Sequence, residues 1–185
     1  MIPEPPILPL MVNDETVANA TLLFQYMDSQ ITFADSKAEL AILADAFLAS
    51  SVVILSQGSE LNFLNTSLSP VARFAGLFIL FMVISLLLSI FYALLAARPR
   101  ITRILAQQQK PLFYFGYITE LTEQEFIRRF ADQTPDELHR AILSQIYAKA
   151  HIARAKFMRM RTSLNFLMVA VVFWTLVLIL LGFTK

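Results

Sequence analysis

Cysteine is absent from the 185-residue chain, and glycine is nearly so, with four residues. The first absence excludes disulfides, thiolate metal sites and cysteine nucleophiles. The second leaves no glycine-rich loop to cradle a phosphate, and neither a P-loop nor a nucleophile elbow is present. Charge is scarce too: Asp, Glu, Lys and Arg make up 16% of the chain, against about 25% in a soluble domain. The two histidines, His139 and His151, are twelve residues apart. That separation is about 120° around one helix, so they do not converge on a metal. Acidic residues are scattered rather than paired. The expectation is no metal site, no catalytic residue and no enzymatic activity. Internal repeats and low-complexity tracts are missing as well.

What the chain has instead is a 57% share of hydrophobic residues, gathered into a few runs, which points to an integral membrane protein. Residues 74–96 (FAGLFILFMVISLLLSIFYALLA) and 164–183 (LNFLMVAVVFWTLVLILLGF) contain no charge. A span needs about 20 apolar residues to cross about 30 Å of hydrocarbon. Arg73 and Arg98 bracket the first run, and Arg161 and Lys185 the second, placed to reach headgroups. A third candidate, 38–57, carries Glu39 and Asp45. Its stretch AFLASSVVIL is too apolar to face water, which outweighs an insertion penalty of roughly 3 kcal/mol for one Asp. Three transmembrane helices are therefore expected, at 38–57, 74–96 and 164–183.

Twelve of the fifteen Lys and Arg residues lie from Arg98 to Arg161, between the two strong spans. The positive-inside rule puts that connection in the cytoplasm, the N-terminus with it and the C-terminus outside. The opening MIPEPPILPLMV has no basic n-region, so 1–13 reads as a Pro-rich, extended arm and not a secretory signal. No Gly or Pro interrupts 11–57, and Asn13 and Asp14 offer an N-cap. The first helix is then a cytoplasmic stalk (14–37) running directly into its span. Thr134-Pro135-Asp136-Glu137 combines a capping box with Pro at the first helical position, starting a helix that continues to the C-terminus. Between them, 97–162 reads as a cytoplasmic helical region. It includes an aromatic, strand-like or looped piece at 111–118 and a short helix near 122–132 capped by Thr122 with Glu125. The fold class expected is all-α, with first and third membrane helices extended into a cytoplasmic bundle.

On the first stalk Ala20, Leu23, Met27, Ala34, Ala38 and Ala41 form an apolar seam, flanked by Asp28 and Asp35. On the last helix Ile142, Ile146, Ala153, Phe157 and Met160 form its counterpart, with Lys149 and Lys156 on one flank and Arg154 and Arg161 on the other. Measured from the start of each span, Asp35 falls level with Arg161, and Asp28 with Lys156. Such charges either pair two stalks or leave a basic site for an anion. Across 97–162 there are twelve basic and six acidic residues, a surplus that suits anionic lipid equally well. Asp45 shares a face with Ala38, Ala41 and Ala49, which marks a helix-to-helix surface. Its expected partner is a hydrogen bond to Ser85 or Ser89, the alternative being a pore or proton path. The aromatics from Phe113 to Tyr117 suit an interfacial belt or small core more than a base-stacking platform.

Several of these motifs occur in an order that resembles one family. Ala34-Asp35-Ser36-Lys37-Ala38 enters the first span, and Arg98-Pro99-Arg100 leaves the second. Pro111-Leu112-Phe113-Tyr114-Phe115-Gly116 follows, and then Gln145, Ala150, Ile152 and Lys156 lead into the third. The chain is similar to the small transmembrane effectors of bacterial Pycsar anti-phage defence. The resemblance implies a receptor that senses a cyclic pyrimidine mononucleotide, cyclic UMP or cyclic CMP, made by a partner cyclase. It further implies disruption of the inner membrane and abortive infection. Asp35, Lys37, Arg98, Arg100 and Lys156 are the positions that match the family pattern.

The reading that results is a homo-oligomeric inner-membrane effector with no cofactor, binding no nucleic acid. The nucleotide is expected where Lys37, Arg98, Arg100, Arg154 and Lys156 converge near the membrane surface. Asp35, Asp45, Ser85 and Ser89 are expected to pack or gate the helices. Two other readings compete: a scaffolding membrane protein whose basic connection docks anionic lipid or a partner, and an effector gated by a cyclic oligonucleotide.

Overall fold

The computed structural model describes residues 13–58, 70–98, 112 and 115–182, and all regular structure among them is helical. The elements are α1 (Asp14–Gly58), α2 (Pro70–Ala97), α3 (Phe115–Ile118), α4 (Glu123–Ala131) and α5 (Pro135–Gly182). The Pro-rich arm and Arg100 lie outside the described residues.

α1 and α5 are long because nothing in them breaks a helix. With 45 residues, α1 rises about 67 Å, and the 48 residues of α5 rise about 72 Å, each more than twice a hydrocarbon layer. Asn13 caps α1, its side-chain oxygen accepting from the Thr16 amide at 2.8 Å, while the Asn13 amide donates to the Thr16 hydroxyl at 3.0 Å. Both halves of the α5 capping box form: the Glu137 amide donates to the Thr134 hydroxyl, and the Thr134 amide donates to the Glu137 carboxylate at 2.9 Å. The Thr134 amide, aided by its hydroxyl, holds the Glu137 carboxyl below the usual carboxylate range. Thr122 caps α4 by accepting from the Glu125 amide. The aromatic piece expected to be strand-like or looped instead contains the helical turn α3 at Phe115–Ile118; residues 111, 113 and 114 lie outside the described set. One turn of helix satisfies local amides where no neighbouring strand is available among the described residues.

Two helices among the described residues are long and apolar enough to cross a membrane, within Arg73–Ala97 and within Pro135–Leu180. The expected third segment, 38–57, is not one of them. Their outward residues fit this reading: Leu80, Leu87, Phe91 and Leu94 on α2, and Met168, Val172 and Ile179 on α5, are all exposed.

The chain divides into two compact units, Met1–Ile31 with Arg100–Ala153, and Thr32–Pro99 with Arg154–Lys185. In the first, the N-terminal part of α1 meets the N-terminal part of α5. Lys149 pairs with Asp28 at 2.6 Å, and its ammonium stands 3.4 Å from the Phe24 ring centroid. α4 buries no residue; Arg129 bridges it to α3 by donating to the Tyr117 hydroxyl while pairing with Glu125.

The second unit is a three-helix core. Ala38, Ala41, Ala96 and Met160 form one buried cluster, and Leu48, Met82, Leu86 and Ala170 another. α1 and α5 pass from the first cluster to the second with rising residue number, and α2 with falling number, so α2 runs antiparallel to both. Buried positions recur at alternating three- and four-residue steps: 34, 38, 41, 45, 48 on α1; 75, 79, 82, 86, 89, 93, 96 on α2; and 153, 156, 160, 163 on α5. This is the 3.5-residue repeat by which long helices keep one seam facing a partner. The alanines in it let backbones approach closely.

Candidate functional site

Between the two apolar clusters lies one polar layer. On each helix a polar residue falls between members of the two clusters: Asp45 on α1, Ser89 on α2 and Ser163 on α5. All three are fully buried. The Ser89 hydroxyl donates to Asp45 Oδ2 at 2.8 Å and lies 3.2 Å from the Ser163 hydroxyl. Asp45 Oδ1 is buried with no hydrogen-bond partner. A carboxylate with one oxygen unbonded inside a packed core is costly, so this layer weakens the bundle at its level. Ser85, on the same helix face one turn from Ser89, is buried too. Ser163 was absent from the sequence-derived set. Its signal was phase: it stands seven residues from Lys156 and from Ala170, in the buried register of α5.

One turn beyond the first apolar cluster the seam carries charge. Lys156 donates its ammonium to Asp35 of α1; the Lys side chain is 7% exposed and the Asp side chain 35%. Sequence placed Lys156 on a flank of the seam, whereas it occupies the seam itself, four residues before Met160 and three after Ala153. It also matched the rows differently. The pairs are Asp28 with Lys149 and Asp35 with Lys156, not Asp28 with Lys156 and Asp35 with Arg161. The shift is one to two helical turns. Its cause is that apolar character begins earlier on α1, where alanines 38 and 41 pack against helices, than on α5, where it begins at 164. Counting from the start of each apolar run therefore misaligns the helices. Leu23, expected in the α1 seam, is exposed, because the 3.5-residue repeat that includes Ala20, Ala34 and Ala38 passes through 24 and 27.

Further cations of this unit stand at the same end, whereas Arg73 lies near the start of α2, at the other. Lys37 adjoins Ala38, and Arg98 follows Ala96 by two residues; both are exposed. The Lys37 ammonium sits 4.4 Å from the Phe33 ring centroid. Arg159, adjacent to Met160 and not singled out from sequence, donates to the Leu95 carbonyl at 2.7 Å, supplying a donor to the last turn of α2. Arg154 is exposed, nearly two turns further along α5. Among the described residues Lys37, Arg98 and Arg154 have no ion pair, so their charge is available to an anion, whereas that of Lys156 is held by Asp35. No group of His, Cys, Asp and Glu able to hold a metal occurs among the described residues.

Comparison with known proteins adds one identification. Residues 19–182 match the model of the Pycsar effector protein domain, which takes in α2 to α5 and all but the first turn of α1. No curated protein and no solved structure matches the chain.

Proposed function

We propose that this chain, which belongs to the Pycsar effector family and is a membrane effector of anti-phage defence, senses a cyclic pyrimidine mononucleotide and responds by permeabilising the inner membrane. The observation that carries the second half is the Asp45–Ser89–Ser163 layer. It ties three helices together through a carboxylate that is only half bonded. A bundle holding such a group between two apolar clusters gains when the helices part and water reaches Asp45. That gain lowers the cost of an open arrangement without opening the resting one.

In this reading 38–57 of α1 is a third span. Its outward residues Leu40, Leu43, Phe47, Val53 and Ile54 are exposed and apolar. Of its two acids, Glu39 is exposed at the entry end and Asp45 faces the other helices. The penalty of roughly 3 kcal/mol for a carboxylate at the centre of a span is thus met by protein and not by lipid. The basic connection then faces the cytoplasm, with the N-terminus inside and the C-terminus outside.

Lys37, Arg98, Arg100, Arg154 and Lys156 supply the charge for the nucleotide phosphate. A phosphate competes with Asp35 for Lys156 and relieves repulsion among the others, favouring a different helix arrangement. It shifts that equilibrium only by its differential affinity for the two arrangements. The test is equilibrium binding by the purified chain in lipid nanodiscs. Cyclic UMP or cyclic CMP is expected to be retained, while cyclic AMP and a cyclic dinucleotide are not. Retention of the dinucleotide alone would transfer the assignment to a cyclic-oligonucleotide effector. Binding of none of them, in folded protein, would remove the sensing role.

A further inference from the structure

α1 carries a second seam that stays exposed among the described residues. Leu22, Tyr26, Ser29, Phe33, Ser36, Leu40, Leu43, Phe47, Ser50 and Ile54 follow one another at alternating four- and three-residue steps, and every one is exposed. The stripe is offset by two residues from the buried one through Ala20, Ala34 and Ala38, about 200° around the helix. It therefore lies on the opposite side of α1. The Phe33 ring also lies 6.5 Å from that of Phe157 on α5, yet Phe33 is still 50% exposed.

Lipid accounts for only half of this stripe. Leu40, Leu43, Phe47 and Ile54 lie in the proposed span, but Leu22, Tyr26 and Phe33 lie before Asp35, Lys37 and Glu39, where a bilayer does not reach. Nor does lipid call for a strict 3.5-residue repeat held over 33 residues; an extended helix partner does. The serines suit such a contact. Ser29 and Ser50 donate their hydroxyls to the Tyr26 and Ala46 carbonyls of their own helix, both at 2.8 Å. They can thus enter an apolar interface as small residues without an unmet donor. The flanks are complementary as well: Lys37 and Glu39, both exposed, stand on opposite sides of the stripe.

We infer that α1 pairs with α1 of a second copy of this chain along residues 22–54. Copies inserted in one membrane share one orientation, so a two-fold axis along the membrane normal makes the helices parallel and the contact self-complementary. Each Lys37 then faces the Glu39 of the neighbouring copy. An anion reaching Lys37 competes with that carboxylate, which couples ligand arrival to the contact between copies. This last step rests on the proposed function; the pairing itself does not.

The absence of cysteine makes the test direct. Single substitutions Tyr26→Cys, Phe33→Cys, Leu40→Cys and Phe47→Cys are compared in native membranes with Leu87→Cys on α2 and Val172→Cys on α5, all at exposed positions. A mild oxidant is applied without nucleotide. A residue on a two-fold seam meets its own copy within the few ångströms a disulfide requires. The four α1 variants are expected to form covalent dimers, and Leu87→Cys and Val172→Cys to stay at the monomer background. Equal crosslinking on all three helices would mean random collision in lipid, and no crosslinking on α1 would mean that lipid or another protein covers the stripe; either result overturns the pairing. Dimers on α1 in a chain that binds no nucleotide would leave the pairing standing and remove only the sensing role.

Discussion

Ser89→Ala is the sharpest perturbation of the polar layer, because Ser89 alone touches both other members. Its hydroxyl donates to Asp45 at 2.8 Å and lies 3.2 Å from Ser163. Hydrogen bonds between membrane helices are worth about 0.6 kcal/mol on average and up to about 1.7. Deleting this one also leaves Asp45 with neither oxygen bonded, since Oδ1 already has no partner, and an orphaned buried polar group costs about 1–3 kcal/mol. The sum predicts a loss near 2 kcal/mol, roughly a thirtyfold change in the folded-to-unfolded ratio. Ser163→Ala removes only a hydroxyl that is not the donor to Asp45, so its loss is expected to stay under about 1 kcal/mol. In an Asp45→Leu background Ser89→Ala should cost under about 1 kcal/mol, because only the contact with the Ser163 hydroxyl is then lost. The assay is unfolding by denaturing detergent, followed through Trp174, the chain's single tryptophan, which packs against the second apolar cluster. The same weakening of the resting arrangement should raise nucleotide-independent leakage. Equal losses for Ser89→Ala and Ser163→Ala, or a Ser89→Ala loss undiminished beside Asp45→Leu, would refute the reasoning.

Lys156→Met leaves a partly buried Asp35 without its cation and is expected to cost about 1–3 kcal/mol once the exposure of Asp35 is allowed for. Lys149→Met breaks a pair whose Asp side chain is 52% exposed and should cost under about 1 kcal/mol by the same unfolding assay. Arg159→Gln weakens the donor to Leu95, a hydrogen bond to a charged group worth about 1.5–3 kcal/mol; faster amide exchange in the last turn of α2 would report it. The Glu137 carboxyl is held below its ordinary range by Thr134, so its capping contribution is complete above that range and is lost as pH falls through the lowered value. Amide exchange in the first turn of α5 should therefore accelerate in acid, and Glu137→Gln should remove that pH dependence.

Helix extents were legible because they depend on local signals. The unbroken run from 14 to 57, the Asn13 cap and the Thr134–Glu137 box require no knowledge of partners, and all of them appear as read. The Ser89 to Asp45 bond was one of two pairings the sequence allowed, since a carboxylate in an apolar run needs a neighbour on another helix. The interhelical register was not legible. Alanines 38 and 41, on the helix-to-helix face with Asp45, do pack against Ala96 and Met160; taking residue 38 as the start of the span is what moved the whole ladder of ion pairs. Lys156 was misplaced because its charge suggested a surface position, whereas the seam accepts it once Asp35 stands opposite. Arg159 was missed since its partner is a backbone carbonyl, which no side-chain pattern announces.

The central claim is that a pyrimidine nucleotide opens this bundle across a membrane. The measurement is release of a self-quenching dye from anionic-lipid liposomes carrying the full chain, with cyclic UMP, cyclic CMP, cyclic AMP and a cyclic dinucleotide added in turn. The account predicts release with one cyclic pyrimidine nucleotide and little with the others, and a weakened response in Asp45→Leu, whose closed bundle has no carboxylate to hydrate. Silence with all four in folded protein, or release that is the same with and without nucleotide, would contradict it.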